Sequence, residues 1–273
     1  MENKRLLIIT QELDPYTEGT EISNLVAKLP KLFQDNGYEM RILMPRYGTV
    51  NERRHRLHEV VRLSGMNIIV DDDDYPLIIK VASLPNSRLQ VYFLDNEDFF
   101  KRKQVFVDEH EQAFEDNPDR AAFFCKGAIE TVKKFGWVPD VVLCLGWMTS
   151  LIPLYLRTAY KTEPLFSPSQ IVYGLFDTPH EQESAERFFQ KAAINNLTED
   201  HLDPFRTASG VSMHKGAVFY SDAVLTGSET LTADVEAMLA LEDKPVLHWK
   251  SEEEQPKAVV EFLRTLMEAE VSP

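Results

Sequence analysis

Short apolar segments alternate along the chain with segments in which apolar residues recur at helical spacing. The helical pattern is clearest over Glu21–Asn36, and Gly37 follows it at the position where a glycine commonly ends a helix. Uninterrupted apolar runs are typical of strands that are buried on both faces. The runs that we predict to be such strands are Lys4–Thr10, Glu39–Met44, Val141–Leu145 and Gln170–Phe176. Together these elements predict an α/β fold, a three-layer Rossmann-like domain with a mainly parallel sheet.

The pattern changes after the second strand. Three short β-type runs, Val60–Asp71, Leu77–Ser83 and Leu89–Leu94, follow one another closely. An acidic cluster, Asp71–Asp74, separates the first two, and Pro85-Asn86-Ser87 separates the last two. Closely spaced strands with turn residues between them predict a β-hairpin insertion within the sheet. We interpret the acidic cluster as a solvated turn rather than a cation site.

The second half of the chain returns to alternating helices and strands. Asp119 is placed to cap a helix over Arg120–Phe135, and Gly136 ends it. Further helices are predicted over Glu181–Gln190, Ser212–Tyr220, Thr230–Leu241 and Pro256–Glu270, and further strands over Ala223–Thr226 and Lys244–Trp249. No repeat and no linker-like segment divides the sequence, so we predict a single domain over residues 1–273.

Composition narrows the classes of partner. The chain has 44 acidic and 29 basic residues and a formal charge of -15, which argues against nucleic acid and against an anionic membrane surface. Its two cysteines, Cys125 and Cys144, lie in apolar segments and predict buried, reduced thiols of a cytoplasmic protein. No metal-ligand spacing is present and no cofactor is predicted. The apolar run Leu6–Ile9 is too short for a signal peptide or a membrane span.

The turn Gly146–Thr149 follows the strand Val141–Leu145, and in a parallel sheet the loop at this end of a strand is where ligands usually bind. Polar side chains are therefore expected there, yet the turn reads Gly-Trp-Met-Thr. Trp147 either stacks on a sugar ring or packs in the core. The scarcity of polar groups in this turn is the main functional clue in the sequence.

Five blocks of the sequence resemble successive blocks of the bacterial glycogen/starch synthase family. They are Pro15–Gly48, Val91–Phe100, Asp116–Glu130, Gly136–Arg157 and Lys215–Leu231, and the resemblance covers roughly residues 4–240. The resemblance implies the amino-terminal, acceptor-side half of a retaining glucosyltransferase that has two Rossmann-like domains, uses ADP-glucose and extends an α-glucan. It also leads us to expect that the family's carboxyl-terminal donor domain is absent from this chain.

The chain departs from the family at three polar motifs. Glu18-Gly19-Thr20-Glu21-Ile22 stands where the family has Lys-Thr-Gly-Gly-Leu, so a carboxylate replaces an ammonium beside the expected diphosphate. Leu145–Thr149 stands where the family has His-Asp-Trp-His-Thr, and Leu175-Phe176-Asp177 replaces Ile-His-Asn. The degenerate family positions are therefore Glu18, Glu21, Leu145, Gly146, Met148 and Phe176. These changes predict that no catalytic residue remains.

Several residues near the expected cleft are candidates for substrate binding. They are Tyr16, Trp147, Asp177, His180 and Lys215. Asp177 retains hydrogen-bonding capacity for a sugar hydroxyl, and Tyr16 is placed at the cleft rim, as is Tyr47. His180 is either a ligand contact or an exposed loop residue, and Lys215 either holds an anion or is a structural surface lysine.

Glu18 and Glu21 also allow two interpretations. They form either an acid/base pair or a solvated helix start, where negative charge is favourable.

Two functions from different classes fit this sequence. The first is a pseudoenzyme, inactive alone, that serves as a glucan-binding, regulatory or scaffold protein with α-glucan, maltooligosaccharide or another protein as partner. The alternative is the acceptor half of an ADP-glucose-dependent glucan glucosyltransferase that a separate chain completes. The loss of the acceptor half's own polar groups favours the first.

Overall fold

The computed structural model describes residues 4–85, 87–176, 182–183, 185–194, 197–208, 210–231, 233–240 and 243–269. The strands are β1 (Arg5–Thr10), β2 (Glu39–Pro45), β3 (His58–Glu59), β4 (Met66–Val70), β5 (Asp73–Ser83), β6 (Gln90–Asp95), β7 (Val141–Leu145), β8 (Gln170–Leu175), β9 (Gln182–Glu183), β10 (Arg206–Thr207), β11 (Gly210–Ser212), β12 (Ala223–Thr226) and β13 (Val246–Leu247). The helices are α1 (Glu21–Asp35), α2 (Glu52–His55), α3 (Glu97–Phe100), α4 (Asn117–Phe135), α5 (Leu151–Arg157), α6 (Ala185–Ala192), α7 (Glu199–Leu202), α8 (Met213–Tyr220), α9 (Ala233–Leu239) and α10 (Gln255–Ala269).

Within these described residues, ten strands form one mixed sheet in the order β13-β12-β8-β7-β1-β2-β6-β5-β3, with β4 paired to β5. The pairs from β13 to β6 are all parallel. Ile8 of β1 lies opposite Ile42 on one side and Leu143 on the other. The mainly parallel sheet that the apolar runs predicted is confirmed, and β7 lies inside it between β1 and β8.

Helices cover both faces of the sheet. The connection through α1 runs from β1 to β2, whereas the one through α4 runs from β6 back to β7. Because such crossovers are right-handed, connections in opposite directions put their helices on opposite faces. α10 packs on α1, and α5 packs on both α4 and α8. This arrangement gives the three-layer architecture that was predicted.

The β-hairpin insertion is confirmed as well. β5 pairs antiparallel with both β4 and β6, while β6 joins the parallel part of the sheet beside β2. The predicted strand Val60–Asp71 is wrong in extent, because β4 begins at Met66 after a turn at Val60–Ser64. The acidic cluster divides between a turn and the start of β5. In that turn, Asp71 has a left-handed backbone with φ 59°.

The start of α4 differs from its prediction. Asp119 is not the cap, because the helix already begins at Asn117 with Pro118 in its first turn, where the missing N–H of a proline costs nothing. Asp119 instead forms an ion pair with Lys191 at 3.1 Å, and Lys191 also contacts Asp71 at 2.9 Å. This triad ties the β4–β5 turn to α4 and α6.

The hydropathy of the described helices and the burial of the two cysteines agree with what the sequence led us to expect. Across the described residues, no helix combines the length and the apolar character that crossing a bilayer requires. Cys125 and Cys144 are both buried and unbridged, and burial raises the pKa of both thiols. At neutral pH they are therefore protonated.

Candidate functional site

The loops that follow β1 and β7 meet at the carboxyl edge of the sheet. The chain leaves β1 towards β2 and leaves β7 in the opposite direction towards β8, so the two loops flank a topological switch point. The Gln11 N–H donates to Leu145 O at 3.2 Å and joins the loops at their base. This edge is where a ligand of this fold is expected to bind.

The β7 turn, Gly146–Thr149, is closed by a side chain of the neighbouring loop. Gly146 has φ 86°, and a Cβ built on it would lie 2.3 Å from Gln11 Oε1. The same oxygen accepts the Met148 N–H at 3.3 Å, while Gln11 Nε2 donates to Glu12 Oε2 at 3.1 Å. An aspartate at position 146 would therefore clash with Gln11 and also adopt a strained backbone. Gln11 occupies the space of the side chain that the family resemblance implies.

Trp147 belongs to the core. Its side chain is 3% exposed, and its ring meets Phe106 edge-on with centroids 5.2 Å apart. Phe106 in turn meets Tyr47, which is fully buried. With so little of either residue exposed, the burial favours the packing interpretation of both Trp147 and Tyr47.

Apolar side chains also fill the space at two other positions where the family resemblance implies a change. Phe176 is buried, and a Cβ on Gly227 would lie 2.0 Å from its ring. Leu145 occupies the corresponding space above Gly174, where a Cβ would lie 2.3 Å from its Cδ2. The candidates Asp177 and His180 lie outside the described residues.

The start of α1 satisfies its own backbone groups. Thr20 Oγ1 accepts the Ser23 N–H at 3.0 Å, and Ser23 Oγ accepts the Thr20 N–H at 3.1 Å. Glu21 accepts a hydrogen bond from Ser228 Oγ at 2.5 Å, which links α1 to the loop after β12. Glu18 is exposed and turned towards a different group of side chains. Glu18 and Glu21 thus have separate surroundings, in keeping with a charged helix start.

A pocket of about 320 Å³ opens between the β1–α1 loop and α2. We call it the α2 pocket and define it by six of its lining residues: Glu12, Tyr16, Glu18, Asn51, Arg54 and His55. The sequence pointed to Tyr16 and Glu18 only. α2 has four residues and no apolar period, so nothing in the sequence pattern placed its side chains at the cleft.

The buried members of the α2 pocket have shifted proton affinities. Burial raises the pKa of Glu12, although the hydrogen bond from Gln11 lowers it. Burial also raises the pKa of Tyr16 to about 12. The Tyr16 hydroxyl donates to Ser83 O at 3.2 Å. The Tyr16 ring meets the His55 ring edge-on, with centroids 4.9 Å apart. Burial and then Arg54 lower the pKa of His55, although Glu18 raises it. Near neutral pH the pocket therefore offers a neutral phenol and a neutral imidazole.

An ion-pair network holds α2 in place. Glu52 Oε1 lies 3.1 Å from Arg46 Nη2 and 2.7 Å from Lys80 Nζ. The same two cations contact Asp95 Oδ2 at 3.1 and 2.8 Å. Because Glu52 is the first residue of α2, this network fixes the position of the helix that carries Arg54 and His55.

Lys215 and its neighbour lie on α8. Lys215 Nζ donates to Arg206 O at 2.8 Å, which ties the helix to β10. His214 is buried, and its Nδ1 is 2.7 Å from the Tyr173 hydroxyl. These contacts give both residues structural roles. The anion contact predicted for Lys215 stays a prediction. The described residues contain no group of histidine, cysteine and carboxylate side chains that could hold a metal ion.

Comparison with known proteins identifies the family. The family model described as the starch synthase catalytic domain matches residues 5–240. The glycogen synthase of Chlorobium limicola is 33% identical over 233 residues, which cover 85% of this chain and 47% of that protein. The glycogen synthase of Pelodictyon phaeoclathratiforme is 35% identical over 235 residues, again 85% and 47% of the two chains. This chain thus spans about half the length of the curated relatives it matches.

A solved structure shares the fold. The catalytic domain of starch synthase IV from Arabidopsis thaliana, determined with ADP and acarbose bound, superimposes with a TM-score of 0.75 at 20% identity. The match covers 90% of this chain and 51% of the plant chain. The architecture and the extent of the family match lead to one conclusion. The chain belongs to the starch synthase catalytic domain family.

Proposed function

We propose that this chain is a catalytically degenerate member of its family that binds neutral α-glucan in the α2 pocket and does not transfer glucose. The observation that carries the proposal is the position of Gln11. Its amide fills the space above Gly146 and bonds to Met148 N, so the turn satisfies its own polar groups. A reaction site needs polar groups that are aimed at the ligand, and here they are aimed at one another.

Charge supports the same conclusion for the donor. The plant structure named above holds ADP, a nucleoside diphosphate. In this chain Glu18 stands where the family resemblance implies a lysine, and Glu12 lies beside it in the pocket. A carboxylate in place of an ammonium turns attraction for a diphosphate into repulsion. A neutral ligand such as a maltooligosaccharide escapes this penalty.

The chemistry of the α2 pocket suits a neutral, hydroxylated ligand. Glu12 and Glu18 supply carboxyl oxygens that accept from sugar hydroxyls, and Arg54 supplies donors. The aromatic surface is limited to Tyr16, which is 4% exposed, and the adjacent His55 ring. With few aromatic contacts, we expect a Kd of roughly millimolar, or about -4 kcal/mol.

Calorimetric titration with maltoheptaose tests the proposal. We expect saturable binding that Arg54→Gln and Glu18→Gln both weaken, since each removes a charged hydrogen-bonding group from the pocket. Glu59→Gln, an exposed carboxylate of β3 that does not line the pocket, is the matched control and should leave the affinity unchanged. If both pocket variants bound maltoheptaose with unchanged affinity, the α2 pocket would be refuted as the glucan site.

A second assay addresses catalysis. The chain is incubated with radiolabelled ADP-glucose and glycogen, alone and with the carboxyl-terminal half of the Chlorobium limicola glycogen synthase. We expect no transfer in either case. Turnover of about 1 to 10³ per second would contradict degeneracy. Turnover that requires the added half would instead support the alternative, an acceptor half completed by a separate chain.

A further inference from the structure

Arg41 lies near the amino end of β2, at the edge of the sheet opposite to the α2 pocket. Its guanidinium carbon is 4.5 Å from the ring centroid of Phe135 and 4.8 Å from that of Trp137. A guanidinium stacked on aromatic rings keeps the N–H groups at its edge free for an oxyanion. Among the described residues, no carboxylate lies within ion-pair distance of Arg41. The aromatic rings thus hold this cation in place without a direct ion pair.

A pocket of about 430 Å³ opens beside Arg41, where β2 and β6 begin. Arg88 also lines it and, within the described part of the chain, likewise has no ion-pair partner. Tyr38 and Tyr92 contribute aromatic rings, and Gln34 and Gln90 contribute amides. We call this the Arg41 pocket. Its volume falls in the range of small-molecule sites.

The carboxylate that lines the Arg41 pocket is already engaged. Glu39 Oε1 accepts the Trp137 Nε1–H at 2.7 Å, and Glu39 Oε2 lies 3.5 Å from Arg5 Nε. Glu39 acts electrostatically on Arg41 as a negative side chain, while Arg5 and Arg62 add positive potential there. Glu261, Glu268 and Asp140 act on the Tyr38 side, against Arg264. Positive charge is therefore concentrated at the Arg41 and Arg88 side of the pocket, in a chain with a formal charge of -15.

We propose that the Arg41 pocket binds a small organic phosphate of the size of a sugar monophosphate. A phosphate monoester carries close to two negative charges near pH 7, which matches the charge of two guanidinium groups, whereas a carboxylate carries one. The tyrosine rings and glutamine amides suit the hydroxylated remainder of such a molecule. This site is independent of the proposed glucan site, since the two pockets share no lining residue.

Calorimetry at fixed ionic strength tests the proposal with glucose 1-phosphate, glucose and gluconate as probes. We expect saturable binding of glucose 1-phosphate, weaker binding of gluconate and none of glucose. Arg88→Gln should raise the Kd about tenfold, because a hydrogen bond to a charged group is worth about 1.5 kcal/mol or more. Arg88→Lys should cause a smaller loss, since it keeps the charge but not the planar fork.

Lys161→Gln removes one positive charge from an exposed lysine that lines neither pocket and should leave the Kd within about twofold. Equal affinity for glucose, equal affinity for gluconate, or binding that Arg88→Gln leaves intact would each overturn the proposal. So would the absence of saturable binding up to about 10 mM. Added maltoheptaose should not change the result, which separates failure here from failure of the glucan proposal.

Discussion

The β7 turn and the α2 pocket lie at the same edge of the sheet, yet one is filled by the chain's own side chains and the other is open and polar. In the turn, Gln11 covers Gly146 and Phe106 packs against Trp147. In the pocket, Glu18 and Arg54 remain available to a ligand. The difference teaches that, at the positions where the resemblance implies other residues, packing dominates in the turn and charge dominates in the pocket. Substitutions in the turn should therefore alter stability, and substitutions of the exposed pocket residues Glu18 and Arg54 should alter binding.

Trp147→Ala should have the largest effect. Truncating a buried tryptophan leaves a cavity, so we expect the free energy of unfolding to fall by about 3 to 5 kcal/mol. Urea denaturation measures the loss. The affinity for maltoheptaose should stay within about twofold, because the indole contacts Phe106 rather than the pocket. A loss of affinity without a loss of stability would show that the ring serves as a sugar platform.

Gly146→Asp should cost less, about 2 to 3 kcal/mol, through the strained backbone and the clash with Gln11. Adding Gln11→Ala should recover part of the loss, since it removes the clashing amide but not the strain. Additive effects of the two substitutions in urea denaturation would argue against direct contact between these side chains.

Glu12→Gln should raise stability at neutral pH. Burial raises the pKa of Glu12 in the folded state above the usual value of about 4.5, so the folded protein holds this proton to a higher pH than the unfolded chain. Stability is consequently lost as pH rises from about 4.5 through the folded pKa. The urea midpoints of the variant and the natural protein should differ at pH 7 and converge below pH 4. A variant that is less stable at pH 7 would contradict this account.

Glu18→Lys should have the smallest effect on stability, within about 0.5 kcal/mol, because the side chain is exposed. It restores the charge that the family resemblance implies, yet we expect no glucose transfer, since the β7 turn stays closed. Radiolabel incorporation from ADP-glucose measures this. Detectable transfer by the single variant would show that charge alone had silenced the site.

The sequence predicted the sheet well because a short, uninterrupted apolar run in a chain of this size has few alternatives to a buried strand. β7 was predicted residue for residue, and α1 to within one residue. That Gly146 and Phe176 are altered family positions stays a prediction from the resemblance. What it did not predict was which side chains fill the space, since Gln11 is distant in sequence and lies in a loop without period.

The α2 pocket and the Arg41 pocket were missed for a related reason. His55 and Arg54 belong to a four-residue helix whose position depends on ion pairs with Arg46 and Lys80. Arg41 is one of two charged residues in an otherwise apolar strand. Tertiary contacts determine the positions of these side chains, and hydrophobic periodicity does not predict tertiary contacts.

The contact between Gln11 and Gly146 also constrains the order in which mutations are tolerated. If the chain were selected for catalysis in the laboratory, an aspartate at position 146 would first meet an amide 2.3 Å from its Cβ. A variant that shortened Gln11 beforehand would avoid this clash and retain only the backbone strain. The two positions thus form an epistatic pair, and the accessible route runs through residue 11. A library that randomises position 146 alone should return almost only glycine.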